Sequence, residues 1–449
     1  MEDLLFEFLS IEAWALVMFA VAILFLMLGF PVAFTLGAIS MVFGIVFLGI
    51  EEFQLLPMRI WGIMTNFTLL AVPLFVFMGI VLEKSGIAEE LLKTMGMLFG
   101  RIRGGLAISI VVVGAMLAAT TGVVGATVVT MAVIALPVML KYRYQTELAT
   151  GTIAASGTLG QIIPPSIILI LLADVVGVPV GQLFAGAVVP GVMLVAGFIL
   201  LILVIAWFKP ELAPAVKVDE KDKPSMGAIL NSMVPPLVLV IAVLGSIFFG
   251  IASPTESAAV GALGALLLAL AKRRLSFNYF NESMRETARM TSMVFMILLG
   301  ATAFGLVFRS MGGDYLVEEF MTELPGGETT FIAISMALIF LLGFFLDFLE
   351  ICFIVVPILA PIADIMGIDL LWFAILIALV LQTSFLTPPF GFSLFYLKAA
   401  APPDVKIAQI YRGVIPFILV QILTVALVIM YPQSATWLPD LMNELQGFG

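Results

Sequence analysis

The chain contains no histidine and only one cysteine among its 449 residues. The lack of histidine excludes a histidine-ligated metal site and a histidine general base, although carboxylate chemistry stays open. A single cysteine excludes an intramolecular disulfide, and Cys352 lies in an apolar run, as a small buried hydrophobic residue would. The pattern GxxxxGKS/T is also missing. This excludes ATP hydrolysis by a P-loop.

Charged residues are scarce as well: they make up 11% of the chain, 62% is hydrophobic and the mean hydropathy is +1.22. A soluble protein carries about 25% charged residues, so we expect a polytopic α-helical membrane protein. Runs such as LVLVIAVLGSIFFG are continuously apolar, which excludes the alternating strands of an outer-membrane barrel. The segment MEDLLFEFLSIEAW is acidic where a secretory signal would be basic, so we expect the first apolar segment to stay in the mature protein.

Ten apolar runs are long enough to cross a membrane, which takes about 20 residues. They lie at 13–30, 31–50, 66–83, 147–172, 183–208, 229–250, 254–271, 289–309, 370–397 and 407–431. Two further pairs of runs, 105–119 with 122–140 and 329–345 with 347–363, are too short to span. We expect each pair to be a re-entrant helical hairpin that returns to the side from which it enters.

Positive charge orients these runs, because Lys and Arg collect at cytoplasmic ends. With the N-terminus outside and both hairpins re-entrant, all 20 basic residues except Arg59 and Arg309 lie at cytoplasmic ends. The outer ends then carry acids, among them Glu51, Asp314 and Asp369. The charges therefore predict ten spans with both termini outside.

The same orientation makes the two hairpins enter from opposite sides, which is typical of an inverted repeat. A hydrophilic stretch at 209–227 is predicted to be a cytoplasmic linker between residues 1–208 and 228–449, each with five spans. Landmarks recur at a nearly constant offset: 223 residues from Pro31 to Pro254, and 226 from Pro190 to Pro416. The predicted repeat contains a hairpin (105–140) and a broken helix (147–172) in the first copy, and a hairpin (329–363) and a broken helix (370–397) in the second.

A double proline interrupts each predicted broken helix, at Pro164–Pro165 in SGTLGQIIPPSIILILL and at Pro388–Pro389 in LQTSFLTPPFGFSLFYL. Proline removes a backbone donor and blocks the preceding turn, so the helix cannot continue. Carbonyls freed inside a membrane must face protein or a water-filled cavity. Paired breaks at corresponding points of two halves indicate the binding site of a secondary transporter.

Small and hydroxyl-bearing residues cluster at the hairpin tips and at the breaks. Carbonyl and hydroxyl oxygens suit cations such as Na⁺ or Ca²⁺, and half-helix N-termini suit an anionic substrate. The candidates are Thr120, Thr121, Gly122 and Gly125 at the first tip, Ser156, Gly157, Thr158, Gly160 and Pro164 at the first break, Gly343 at the second tip, and Ser384, Thr387, Pro388 and Gly391 at the second break. The alternative is close helix packing, which for Gly157 alone is the better explanation. We expect two cation sites around one substrate site.

Three acids lie in apolar surroundings, where an ionisable residue is costly and is therefore a functional candidate. Asp347 and Glu350 lie in the second hairpin, where Asp347 either shapes the tip or has a cation-binding or gating role. Glu256 begins a span and is better explained as a helix cap. No basic residue falls in the proposed site, so an anionic substrate would depend on backbone NH groups, hydroxyls and bound cations.

Two amphipathic segments, 89–103 and 275–290, join spans on the cytoplasmic side. They fit interfacial helices, whose charged side chains reach out of the bilayer. They also fit connectors between a mobile bundle and a fixed one, and the sequence leaves both interpretations open.

At these motifs the chain resembles the large membrane subunit of TRAP (tripartite ATP-independent periplasmic) transporters. The matching stretches run through nearly the whole chain in family order: LLAVPLFVFMG (69–79), RGGLAISI (103–110), TIAASGTLGQIIPPSI (152–167), FAGAVVPGVML (184–194), GIASPTESAAVGA (250–262), LTPPFGFSLF (386–395) and RGVIPF (412–417). The resemblance implies an elevator-type, sodium-coupled importer in a bacterial inner membrane, with a small membrane subunit and a periplasmic binding protein as partners.

The resemblance also implies functional residues. One Na⁺ site would use Thr121, Gly160, Ile163 and Pro165, and the other Gly343, Ser384, Thr387 and Phe390. The candidate substrate-binding residues are Thr120, Gly122, Ser156, Gly157, Thr158, Asp347 and Pro388. The first tip reads Thr121-Gly122-Val123-Val124 where the family often has SGSS, and so it offers fewer hydroxyls.

The leading hypothesis is therefore a sodium symporter subunit for small organic acids, embedded in membrane lipid, with no cofactor besides co-transported Na⁺ and no nucleic-acid partner. C4-dicarboxylates, 2-oxo acids and 2-hydroxy acids remain open as substrates. The alternative is a stand-alone cation-coupled anion symporter of similar architecture. An intramembrane hydrolase would need a catalytic dyad, for which the chain has neither a histidine nor paired acids on one helix, so we expect no enzyme activity.

Overall fold

A computed structural model describes residues 10–121, 124–216 and 225–446, and within these ranges the regular elements are all helical. The α-helices are α1 (Ile11–Met27), α2 (Val32–Phe47), α3 (Leu56–Met64), α4 (Ala71–Lys84), α5 (Ile87–Phe99), α6 (Gly105–Thr121), α7 (Val124–Lys141), α8 (Thr146–Thr158), α9 (Ile167–Val176), α10 (Val180–Phe208), α11 (Met226–Phe248), α12 (Pro254–Ala271), α13 (Phe277–Ser310), α14 (Gly313–Thr322), α15 (Gly327–Leu342), α16 (Phe348–Ile354), α17 (Val356–Ile365), α18 (Leu370–Leu386), α19 (Phe392–Ala400), α20 (Ile407–Met430) and α21 (Gln433–Gln446). Short 3₁₀ turns lie at Ile50–Leu55, Thr68–Leu70 and Leu159–Gln161.

Each double proline lies in a break between two helices. The first separates α8 from α9 and the second separates α18 from α19, and the Pro–Pro peptide bond is cis in both. The amphipathic segment 275–290 was predicted to be a separate piece that joins two spans. From Phe277 onward it instead forms one continuous 34-residue helix, α13, with the span that follows it. No proline or glycine interrupts this helix before Gly300, so the change from polar to apolar residues does not end it.

The lengths of the helices differ from the predicted runs. Among the described residues, six helices are long and apolar enough to cross a membrane, and the number reaches eight if two bent pairs each count as one span. The second arm of the first hairpin, Val124–Lys141, belongs to the six, so its predicted shortness is wrong. The helices α1 and α2, with 17 and 16 residues, are shorter than the predicted first two spans.

Helices α1–α5 and α11–α14 pack together, and we call them the frame. A Cβ at Gly300 of α13 would overlap the carbonyl oxygen of Ala33 in α2, so these two helices touch backbone to backbone. The Lys84 ammonium in α4 lies 2.8 Å from the carboxylate of Glu286 in α13. Large apolar side chains on frame helices, such as Phe34, are exposed, as lipid-facing residues would be.

Helices α6–α10 and α15–α21 form a second group, the inner bundle, which contains both hairpins and both broken helices. Its closest internal contact joins α8 to α20, where a Cβ at Gly151 would overlap the carbonyl oxygen of Gly413. Small residues allow this approach, which brings the two backbones into van der Waals contact. A hydrogen bond from Gln382 in α18 to Thr158 in α8 also joins the two helices that lead into the breaks.

Both ends of the first hairpin meet the start of the linker. The Gly104 amide donates to the Ala213 carbonyl at 2.9 Å, and the Gln145 amide donates to the Leu212 carbonyl at 3.0 Å. Leu212 lies four residues after Phe208, the last residue of α10. The helix pair α6–α7 thus starts and finishes at the same end of the bundle.

The second hairpin has its ends at the opposite end of α10. The Phe331 ring, near the start of α15, lies 5.8 Å from the Phe373 ring, near the start of α18. A Cβ at Gly186, in the first third of α10, would lie 3.1 Å from Leu371. The two hairpins therefore enter the bundle from opposite ends.

The two basic residues that break the predicted charge pattern, Arg59 and Arg309, line one cavity of about 170 Å³. Arg309 donates to the carbonyl oxygen of Pro357 at 3.2 Å and so joins α13 of the frame to the second hairpin. Both residues lie where the charge pattern predicts the outer face.

Candidate functional site

A cavity of about 130 Å³ lies where the two hairpins and the two broken helices meet. The first hairpin contributes Val124 and Gly125, the first break contributes Gln161, Ile167 and Ile168, the second hairpin contributes Asp347, Phe348 and Leu349, and the second break contributes Phe385 and Tyr396. Frame residues Val76, Met290, Met293 and Val294 close the remaining wall. We call this space the central cavity, and it lies between the inner bundle and the frame.

Asp347 stands at the tip of the second hairpin and faces this cavity. Its side chain accepts a hydrogen bond from the Phe348 amide at 2.7 Å, and its own amide donates to Glu350 at 3.1 Å. This reciprocal pairing is a capping box at the start of α16. Asp347 is nevertheless exposed, so the tip holds an accessible acidic group against the cavity.

Gln161 lies in the 3₁₀ turn between α8 and the first double proline and is 0% exposed. Neither its amide nitrogen nor its amide oxygen has a hydrogen-bond partner among the residues that the structure describes. An unpaired buried polar group costs about 1–3 kcal/mol. Such a group at the wall of a cavity calls for a functional explanation.

The second predicted cation set is divided between the second hairpin and the second break, and two of its members, Gly343 and Ser384, are in contact. A Cβ at Gly343 would overlap the Ser384 hydroxyl, so the tip packs directly against the end of α18. The Thr387 hydroxyl donates to the Thr383 carbonyl at 2.7 Å, which leaves its lone pairs free to accept a cation. The Phe390 ring is exposed and lies 5.1 Å from the Phe345 ring of the hairpin.

The first predicted cation set is only partly described. The Gly160 carbonyl accepts a hydrogen bond from the Ser166 hydroxyl at 2.9 Å, and this bond closes the first break. Pro165 is buried, and Ile163 lines a different, apolar cavity. The backbone of Thr121 ends α6, but its side chain lies outside the described part of the chain.

Several predicted substrate-binding residues lie away from the central cavity. Ser156 and Thr158 are buried, and their hydroxyls donate to the carbonyls of Thr152 and Ala155. A Cβ at Gly157 would overlap Val128 of α7, which agrees with the packing explanation. The half-buried Pro388 does not line the cavity either. Gly122 and the side chain of Thr120 lie outside the described residues.

Residues 19–434 match the family described as the tripartite ATP-independent periplasmic transporter, DctM component. The chain belongs to this family. The resemblance to TRAP large subunits that the motifs predicted is therefore confirmed, and the permease is a multi-pass protein of the bacterial inner membrane.

The names of three curated relatives of this permease state three different substrates. The sialic acid TRAP transporter large permease protein SiaM of Vibrio cholerae is 29% identical over 435 residues, covering 96% of this chain and 98% of the relative. The C4-dicarboxylate TRAP transporter large permease protein DctM of Vibrio cholerae is 29% identical over 452 residues, covering 94% and 98%. The ectoine TRAP transporter large permease protein TeaC of Halomonas elongata is 29% identical over 431 residues, covering 95% and 99%.

Two solved transporters are similar to the permease in fold. The YdaH transporter of Alcanivorax borkumensis gives a TM-score of 0.65 at 14% identity, covering 96% of this chain and 100% of that one. MtrF of Neisseria gonorrhoeae gives a TM-score of 0.57 at 13% identity, covering 85% and 84%. At these identities the likeness shows a shared fold alone.

A larger cavity in the permease, of about 360 Å³, lies on the other side of the first break. Its walls are apolar side chains from α4, α5, α6, α10 and α11, together with Ile163 and Pro164. A cavity without polar partners does not suit an organic acid. This apolar cavity separates the first hairpin from the frame. The central cavity is therefore the better candidate for the site that binds the cargo.

Sequence reasoning missed three polar residues at the breaks of the permease. Gln161 and Tyr396 line the central cavity, and the Ser393 hydroxyl donates to the Phe385 carbonyl at 3.0 Å across the second break. A polar side chain next to a double proline in an apolar run was the signal that could have found Gln161. Glu256 pairs with Ser253 in a capping box, so the prediction of a helix cap is confirmed.

Proposed function

We propose that this permease subunit imports small organic acids with co-transported Na⁺, together with a small membrane subunit and a periplasmic binding protein. The central cavity is the observation that carries this proposal. It joins four interrupted elements, two from each half, and it borders α13 of the frame. Cargo sites of secondary transporters lie at such interfaces between repeats.

Sodium coupling is supported by the neutral oxygen atoms at the second break. Na⁺ is a hard cation that takes carbonyl and hydroxyl oxygens. The Ser384 hydroxyl lies at the point where Gly343 touches α18, and Thr387, three residues later, carries a second hydroxyl at the end of that helix. Within the described ranges no group of three or more His, Cys, Asp and Glu side chains is placed to hold a metal ion, so the proposed ligands are these neutral oxygens.

The proposed transport movement is an elevator motion of the inner bundle against the frame. Two features support an inverted repeat within the moving part: the hairpins enter from opposite ends of α10, and Thr158 and Gln382, 224 residues apart, touch each other. This separation equals the offset between the two double prolines, as expected for residues near the axis that relates two repeats. Both breaks would then travel with the cargo.

The requirement for partner proteins distinguishes this proposal from a stand-alone symporter. We expect proteoliposomes that contain the permease and its small subunit to take up acid only when the cognate binding protein is added outside. The measurement is the initial rate of radiolabelled uptake with and without that protein, under the same Na⁺ gradient. Equal rates in both conditions would contradict the proposal and favour the stand-alone symporter.

A further inference from the structure

Gln161 differs from the other buried glutamines near the two breaks. Gln382 and Gln421 each donate an amide hydrogen to the Thr158 hydroxyl at 3.4 Å, so both are held inside the inner bundle. Gln161 lines the central cavity, and both of its amide atoms lack a partner within the described ranges. Gln161 thus brings an unpaired donor and an unpaired acceptor to the wall of the central cavity, although both atoms are themselves buried.

We propose that Gln161 binds the cargo directly and that this cargo is a small 2-hydroxy monocarboxylic acid. The inference rests on the proposed function, because it assigns the cargo of the same cavity. It goes further in choosing among dicarboxylates, 2-oxo acids and 2-hydroxy acids, which the sequence left open.

The carboxamide of Gln161 presents a donor and an acceptor side by side. A 2-hydroxy acid is complementary, since its hydroxyl can donate to Gln161 Oε1 while its carboxylate accepts from Gln161 Nε2. A 2-oxo acid has acceptors only and would leave Oε1 unpaired in the closed site. Sites built to hydrogen-bond a substrate hydroxyl reject analogues that lack it, because the buried protein group is then left without a partner.

The charges around the cavity favour one carboxylate over two. The described lining residues include the acidic Asp347 and neither Lys nor Arg. One carboxylate and Asp347 together carry two negative charges, which the two predicted Na⁺ sites would balance, whereas a second carboxylate would stay unbalanced in an apolar space with no basic side chain. The volume of about 130 Å³ equals that of about four water molecules, which suits a small acid.

The test compares four acids that differ in single groups: lactate, pyruvate, propionate and succinate. Binding to the full-length permease, purified in detergent at saturating NaCl, is measured from the thermal unfolding midpoint as each acid is titrated. We expect lactate to bind at least about tenfold more tightly than each of the other three acids. In Gln161→Met the preference for lactate over pyruvate should vanish, whereas Gln421→Met, which removes a buried amide outside the cavity, should keep it.

The proposal is overturned if lactate fails to stabilise the wild-type protein, or if Gln161→Met keeps the preference for lactate. Asp347→Asn, which retains a capping side chain, separates this failure from a failure of the proposed function. One outcome is that Asp347→Asn changes the affinity for every acid that binds, whereas Gln161→Met keeps the preference for lactate over pyruvate. In that case the central cavity holds the cargo, and the role proposed for Gln161 is wrong. If neither variant changes binding, the central cavity is not the cargo site and both proposals fail.

Discussion

Replacing Thr387 with alanine should raise the Na⁺ concentration for half-maximal uptake about tenfold or more. The Thr387 hydroxyl donates its proton to the Thr383 carbonyl, so its lone pairs stay available to accept a cation. Losing one polar ligand costs about 1–3 kcal/mol, and about 1.4 kcal/mol corresponds to a factor of ten. The measurement is the Na⁺ dependence of the initial uptake rate at a fixed cargo concentration.

Thr383 provides the matched control for this variant. It lies one helical turn earlier, it is buried, and its hydroxyl donates to the Leu379 carbonyl at 2.8 Å in the same way. Thr383→Ala should leave the Na⁺ dependence unchanged, and Thr387→Ser, which keeps the hydroxyl, should restore it. Equal Na⁺ dependence in Thr387→Ala and the wild type would remove Thr387 from the cation site.

Replacing Gly151 with alanine should lower the thermal unfolding midpoint by roughly 1–3 °C. Alanine is the better helix former by about 1 kcal/mol, so the loss must come from packing. The added Cβ would overlap the carbonyl oxygen of Gly413, a backbone atom that can move only if α8 and α20 separate. Overpacking of this kind typically costs about 1–3 kcal/mol, and occasionally more.

Gly245 offers the control for Gly151, because a Cβ there meets no other atom within 4 Å and the residue lies inside the helix α11. Gly245→Ala should leave the unfolding midpoint unchanged or raise it slightly. The comparison is made by fluorescence-detected unfolding of the purified permease in one detergent. A midpoint for Gly151→Ala equal to that of the wild type would show that α8 and α20 are not in backbone contact.

The helix breaks were predictable from local chemistry, whereas the contacts across the bundle were not. The breaks after α8 and α18 lie at the predicted Pro164–Pro165 and Pro388–Pro389, although a double proline alone does not end a helix, since Pro235–Pro236 lie inside the continuous α11. The continuity of α13 was missed because the chain changes from amphipathic to apolar without changing its backbone propensity. The change in polarity therefore did not predict where the helix begins.

Some residues of the candidate site were predictable from the sequence, and others were not. Asp347 was predictable, because an acid in an apolar hairpin is unusual and also fits a cap. The environment of Thr158 was not, because its partners Gln382 and Gln421 come from the other half of the chain. The role of Gln161 could not be predicted from the sequence, because it depends on the packing around the side chain. A glutamine whose amide atoms had hydrogen-bond partners would be an ordinary core residue.

The most direct test of the account is whether acid uptake follows the Na⁺ gradient. Proteoliposomes that contain the permease with its small subunit, supplied with binding protein and labelled acid outside, are compared with an inward Na⁺ gradient, with no gradient and with K⁺ in place of Na⁺. The account predicts that acid accumulates above its outside concentration only when Na⁺ is higher outside. Accumulation of the acid to the same level with K⁺, or without a gradient, would contradict it.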